Sequence, residues 1–186
     1  MPASHYRSVE VRRDDDGAPL LAQAGAPRLS IAHRGGWAVA ALSYEGAIGI
    51  DLEAIGPRQP AFYRSTMSAG ERRWMRGASE SDIACLGTLL WTLKEACLKT
   101  GASAARTVWG IGAIDVDVWT PAAEIAATWP GKIGGDGPVL SALPARLPLT
   151  TGLDSSFQAA YGELGGLVIG VVAERTCDLR RRGDLS

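Results

Sequence analysis

Cysteine and histidine are scarce in this 186-residue chain, and both shortages narrow what it can do. Cys85, Cys97 and Cys177 are too few and too scattered for a disulfide framework, which fits a reducing, cytoplasmic setting. With only His5 and His33, and no Cys-x-x-Cys, a zinc centre of the usual Cys/His type has almost no donors. Gly-x-Ser-x-Gly and the phosphate loop ending in Gly-Lys-Ser/Thr are both missing, so hydrolase and nucleotide-loop readings lose their entry points. No apolar run reaches the ~18 residues of a membrane helix, and Met1 to Arg13 lacks the apolar core of a secretory signal. An excess of one charge is missing too. Nineteen Lys+Arg against twenty Asp+Glu leave a formal net charge of -1, which removes the broad electrostatic case for a nucleic-acid partner. What is present, 46% hydrophobic and 21% charged residues, is the mix of a soluble globular protein, expected as a single domain over 1–186. Any metal here should be a hard cation on carboxylate oxygens.

Along the chain, Ser8 to Arg12 alternates as a short strand, closed by a turn at Asp14-Asp15-Asp16-Gly17. That acidic triplet is either a cation site or simply solvated. Residues 17–28 read as loop, and Leu29-Ser30-Ile31 begins a strand running into His33-Arg34-Gly35-Gly36. Trp37 to Ser43 and Ala47 to Glu53 are expected to pair as a hairpin across Tyr44-Glu45-Gly46. In the second of these strands Ile48, Ile50 and Leu52 point one way and Gly49, Asp51 and Glu53 the other. Same-face neighbours lie roughly 7 Å apart, so both carboxylates enter one volume.

After a loop at Gly56-Pro57, Ser68-Ala69-Gly70-Glu71 fits a capping box that starts a short helix through Met75. A long helix is expected from about Asp82 to Thr100, with Ile83, Leu86, Leu90, Leu93 and Cys97 as its apolar stripe and Gly101 as its left-handed cap. Trp91, Glu95 and Lys99, four residues apart, share a second face. Ile114 to Val118 alternates as a strand, residues 119–150 show no strong period, and 157–161 with 167–173 form a closing hairpin around Gly165-Gly166. The tail carries Arg180-Arg181-Arg182.

Asp51 and Glu53 on a strand, facing Glu95 on a helix, can make a three-oxygen face for Mg²⁺, with Lys99 one turn beyond as a nearby ammonium. Phosphate transfer needs such a set: a metal against negative charge, a base for a proton, a cation near the leaving group. The same residues also fit a surface ion pair between Glu95 and Lys99, and the solvated face of an edge strand. Spacing alone leaves both open.

Gly49-Ile50-Asp51-Leu52-Glu53, followed by Trp91-Thr92-Leu93-Lys94-Glu95-Ala96-Cys97-Leu98-Lys99, resembles the two-part signature of the 4'-phosphopantetheinyl transferase superfamily. The 44-residue step from Asp51 to Glu95 is similar to that of its surfactin-type branch. Ile31-Ala32-His33-Arg34-Gly35-Gly36-Trp37 resembles that branch's Ile-Ser-His-Ser-Gly segment, and Gly17-Ala18-Pro19 falls where it carries Gly-Lys-Pro. The resemblance covers residues 9–101 well and the closing hairpin loosely.

It implies an α+β fold, an antiparallel sheet packed with a long helix in two pseudo-symmetric halves. Here the first half, 1–48, is expected to be shortened, with 49–175 as the second and 176–186 as a basic tail. The implied reaction moves the phosphopantetheine arm of coenzyme A to a serine of an acyl or peptidyl carrier protein, releasing 3',5'-adenosine bisphosphate, in secondary metabolite biosynthesis. Asp51, Glu53 and Glu95 would hold Mg²⁺, with Asp51 counted among the catalytic residues. Glu95 would act as base, Lys99 would steady the leaving phosphate, and His33 would donate to a coenzyme A phosphate. Lys94 is either a phosphate contact or the solvated side of the helix. Arg72, Arg73 and Arg76 are either a basic surface for an acidic carrier helix or merely solubilising.

The family pattern breaks at three places. Ala18 stands where a phosphate-binding lysine is expected, Ala32 and Arg34 replace small hydroxyl residues beside His33, and only fifty residues precede Asp51. Arg28 and Arg34 are the candidates to restore the lost charge toward coenzyme A. A chain that starts further upstream, a second copy completing the cleft as a homodimer, and drift to another role all account for the short first half. The competing reading is a non-catalytic or repurposed member that binds a carrier protein or pathway partner.

Overall fold

Residues 48–54 alternate between two kinds of neighbour, and that alternation sets the architecture. The computed structural model describes residues 9–101, 108–118, 121–127, 141–143, 145–146 and 157–174. The strands before the first helix are β1 (Val11–Arg13), β2 (Pro19–Leu21), β3 (Arg28–Arg34), β4 (Trp37–Ser43) and β5 (Ile48–Ala54). Helices α1 (Pro60–Thr66), α2 (Ala69–Trp74) and α3 (Glu80–Lys99) follow, then a 3-10 turn at Val108–Ala113. The remaining elements are β6 (Asp117–Val118), α4 (Ala122–Ala127), β7 (Ser141–Leu143), β8 (Ala145–Arg146), β9 (Phe157–Leu164) and β10 (Leu167–Glu174).

The main sheet is antiparallel, in the order β5-β10-β9-β7. Its α3 side is an apolar layer in which Leu86, Leu89, Leu90, Leu93, Ala96 and Cys97 pack with Val168, Val172, Ala159 and Tyr161. On the other side Ile48, Ile50, Leu52, Ile169 and Val171 meet Ala32, Val39 and Ala41 of the β3-β4 hairpin. Hence the odd residues of β5 face α3. Gly49 lets the helix come close: a Cβ there would lie 1.8 Å from the carbonyl oxygen of Ala96. Ser79 caps the start of α3 by accepting the Asp82 N–H, and Gly101 takes the expected left-handed conformation (φ +73°).

The expected hairpin between Trp37–Ser43 and Ala47–Glu53 does not form. β4 pairs with β3, in register from Arg28↔Ser43 to Arg34↔Trp37, and β5 pairs with β10, from Leu167↔Ala54 to Ala173↔Ile48. Gly35 and Gly36, at φ +58° and +82°, make the tight turn that closes β3 on β4. β3 still lies along β5, where the Ile50 N–H donates to Ser30 Oγ at 3.0 Å.

The 17–28 loop contains β2, which pairs with β1 and begins at Pro19, where a strand can do without an N–H. Asp14 Oδ1 accepts the N–H groups of Asp16 and Ala18, so one carboxylate of the acidic triplet shapes this turn. The loop after Gly56-Pro57 gives way to α1, with Pro60 in its first turn. The capping box at Ser68 and Glu71 is present in both directions. The strand expected at 114–118 is limited to Asp117–Val118, and the closing hairpin forms as β9 and β10. The 176–186 tail and most of 128–156 lie outside the described residues. No helix among the described residues is long and apolar enough to cross a membrane.

Candidate functional site

Asp51 projects from the α3 side of β5 and is 7% exposed. Its Oδ1 accepts from Lys99 Nζ at 2.6 Å, across the gap between strand and helix end. Its Oδ2 is buried and has no hydrogen-bond partner among the described residues. Burial pushes the Asp51 carboxyl above its ordinary range. The Lys99 ammonium opposes this, the Glu53 charge adds to it, and the Leu52 N–H opposes it least.

Glu95, half-buried on α3, faces the same volume. Burial raises its carboxyl first, the Asp51 charge raises it further, Lys99 opposes, and Glu53 adds a smaller push. Glu53 Oε2 accepts from Arg58 at 3.3 Å and lies 3.6 Å from Arg34. Three carboxylates from β5 and α3 therefore share one field, with Lys99, Arg34 and Arg58 around them.

The expected three-oxygen metal face is not assembled: among the described residues no three acidic, histidine or cysteine groups stand close enough to hold an ion. The cause is charge pairing. Lys99 draws Asp51 one way, while Arg34 and Arg58 draw Glu53 another. The donor chemistry nevertheless fits Mg²⁺, since all candidate ligands are hard oxygens. Asp51 Oδ2 in particular is a buried acceptor still lacking a donor or cation.

Lys94 is in neither place expected of it. Its side chain is fully buried, its Nζ lies 2.8 Å from Glu71 Oε2, and it donates to the Thr66 carbonyl at 2.7 Å. No phosphate is within its reach, because α2 and the 3-10 turn enclose it. The signal was in the sequence: position 94 falls four after Leu90 and three before Cys97, on the apolar stripe itself. Glu71 also accepts the N–H groups of Ser68 (2.7 Å) and Val116 (2.8 Å), so this capping residue closes a buried polar network. Trp91 packs with its ring 5.0 Å from that of Phe62. Arg58 stacks 5.2 Å over the other partner of that pair, Phe62, and was not singled out from the sequence.

His33 is exposed on β3 and alternates with Ala32 and Arg34, so it points to the opposite strand face. No contact among the described residues joins it to the carboxylates. Arg28 lines a cleft of about 790 Å³ together with Ala18, Leu29, Ile48, Lys99 and Gly101. That cleft meets the carboxylate group only through Lys99. Its volume suits a ligand of cofactor size, and Ala18, the position expected to carry a lysine, does line it. Arg72, Arg73 and Arg76 are exposed around α2.

Residues 47–130 match the 4'-phosphopantetheinyl transferase superfamily. The matched segment runs from β5 to α4, so it contains Asp51, Glu53, Glu95 and Lys99 together with the α3 packing that positions them. The mixed α/β arrangement of antiparallel strands and helices is consistent with a phosphopantetheinyl transferase-like domain. No curated protein matches the chain.

Proposed function

We propose that this chain transfers the 4'-phosphopantetheine arm of coenzyme A to a serine hydroxyl of an acyl or peptidyl carrier protein, in a Mg²⁺-dependent reaction in the cytoplasm. The observation that supports it most is Asp51, with one oxygen on Lys99 and the other buried without a donor, beside Glu95 and inside the segment that matches the transferase superfamily.

The serine oxygen attacks the phosphorus that carries the pantetheine arm, the diphosphate bond to the nucleotide breaks, and 3',5'-adenosine bisphosphate leaves. Glu95 accepts the serine proton. Lys99, held by Asp51, places a positive charge where the leaving phosphate gains negative charge. Arg28 lies in the adjoining cleft, toward which the nucleotide end would extend. Asp51, Glu53 and Glu95 would hold Mg²⁺, which when bound neutralises charge on the diphosphate oxygens.

A second reading is a carrier-binding protein without catalysis, favoured by the pairing of Asp51 and Glu53 with monovalent cations. Calorimetric titration with apo carrier protein and coenzyme A separates the two. The transferase reading expects coenzyme A binding that needs Mg²⁺ and is lost in Asp51→Ala. Carrier binding indifferent to both, with no coenzyme A bound, supports the second reading.

A further inference from the structure

β4 is built for a neighbour that the described residues do not supply. Its sequence, Trp37-Ala38-Val39-Ala40-Ala41-Leu42-Ser43, holds no charge and no proline. Those are the devices that keep a strand at the rim of a sheet from pairing with another chain. The alternation of a half-buried strand is missing too. Val39 and Ala41 pack on the β5 side, yet Ala38, Ala40 and Leu42 on the outer side are apolar and exposed. A strand that is apolar on both faces reads as one covered on both.

The surroundings mark the edge that needs covering. β4 pairs with β3 on one side, and among the described residues no strand pairs with it on the other. β2 and β5 approach the hairpin mainly through β3. Large apolar side chains gather at the uncovered edge. Of the six that are exposed among the described residues, Trp37 and Leu42 lie on β4, Tyr44 just past it at 82%, and Ile31 opposite Ala40 on β3.

The occupant that fits is the same strand of a second copy. A two-fold axis lays one β4 antiparallel against another, and the register that overlaps all seven residues puts Ala40 opposite Ala40. The ends then complement each other. Trp37 of one copy arrives beside Tyr44 of the other, twice, as aromatic cross-strand neighbours. Arg34 at the hairpin tip and Glu45 past the strand's end, both exposed, come to one corner from opposite copies with opposite charge.

We propose that β4 pairs edge to edge with β4 of a second copy, joining two β3-β4 hairpins into one four-stranded antiparallel sheet. The pairing goes beyond the transferase reading and does not depend on it. One strand edge with two aromatic pairs is a small interface, so association is expected in the micromolar range.

Sedimentation equilibrium of the full chain, from low to high micromolar concentration, tests it. The mass should rise from 19.5 kDa toward twice that value. Ala40→Lys sets like charges opposite each other on the axis and should weaken association at least roughly tenfold. Circular dichroism checks that this exposed position leaves the fold intact. Glu45→Arg should also weaken association, and adding Arg34→Glu should restore it. Mild oxidation locates the contact. Ala40→Cys should give a covalent dimer above the wild-type background, whereas Ile31→Cys, on the outer strand, should not. A chain that stays at monomer mass throughout overturns the proposal, as does a dimer that Ala40→Lys leaves unchanged. Cross-linking through Ile31→Cys in place of Ala40→Cys overturns it too, since the copies then pack face to face. Coenzyme A transfer stands or falls separately from all of these results.

Discussion

Lys99 Nζ stands 2.6 Å from Asp51 Oδ1, joining the end of α3 to the middle of β5 through a carboxylate whose second oxygen is buried without a partner. The ammonium does two jobs in the proposed reaction: it neutralises Asp51 and it faces the leaving phosphate. Lys99→Met should therefore lower kcat by about 10²–10³. Removing Lys99 also leaves the buried Asp51 carboxylate without its donor, so unfolding in urea should show a loss of about 1–3 kcal/mol. A large stability loss with normal kcat would assign the pair a structural role instead.

Glu95 gives a pH dependence whose sign can be worked out. Its folded carboxyl is raised, so the folded state holds its proton more tightly than the unfolded chain does. The stability this contributes is fully present below the ordinary carboxylate value near 4.5 and is lost as pH rises through the raised folded value. The stability difference between wild type and Glu95→Gln should accordingly shift against the wild type over that window, read by urea titrations at several pH values. Activity should move the opposite way, rising with pH as Glu95 becomes able to accept a proton. Glu95→Gln should lower kcat by about 10²–10⁴ at neutral pH.

The Glu71–Lys94 pair is a separate, structural matter. Removing one member leaves the other charged and buried, so Lys94→Met should cost about 3–5 kcal/mol in urea unfolding. The double variant Glu71→Gln with Lys94→Met should recover part of that loss. Equal losses in the single and double variants would show that the pair is not energetically coupled.

Gly49 ties stability to the site. Gly49→Ala puts a methyl against the Ala96 carbonyl, one residue past Glu95, and neither backbone can yield cheaply. The variant should lose about 3 kcal/mol or more. It should also lose activity beyond what its folded fraction explains, because α3 moves away from β5. Thermal melts alongside rates normalised to folded protein would check this.

Much of the site's scaffold was legible in the chain because it depends on local order. The alternation in 48–53 put Asp51 and Glu53 on the helix side, and steps of three and four residues marked the buried side of α3. The partner of β5 was not legible. Ala47 to Glu53 follows Trp37 to Ser43 so closely that a hairpin looked natural, yet Gly35-Gly36 offered β4 a better turn with β3. β5 then paired with β10, more than a hundred residues away, a choice set by which surfaces bury most apolar area and not by nearby residues. Lys94 misled because a lysine suggests solvent, although its spacing placed it in the core opposite Glu71. Arg58 carried no local pattern at all; only the folded chain brings it to Glu53 and Phe62.

The most direct measurement is the mass of an apo carrier protein after incubation with this chain, coenzyme A and Mg²⁺. The account predicts a gain of one phosphopantetheine arm on the carrier serine, abolished by chelating the metal and nearly abolished in Glu95→Gln. No gain across several carrier proteins at high enzyme concentration, from a chain shown to bind coenzyme A, would contradict it.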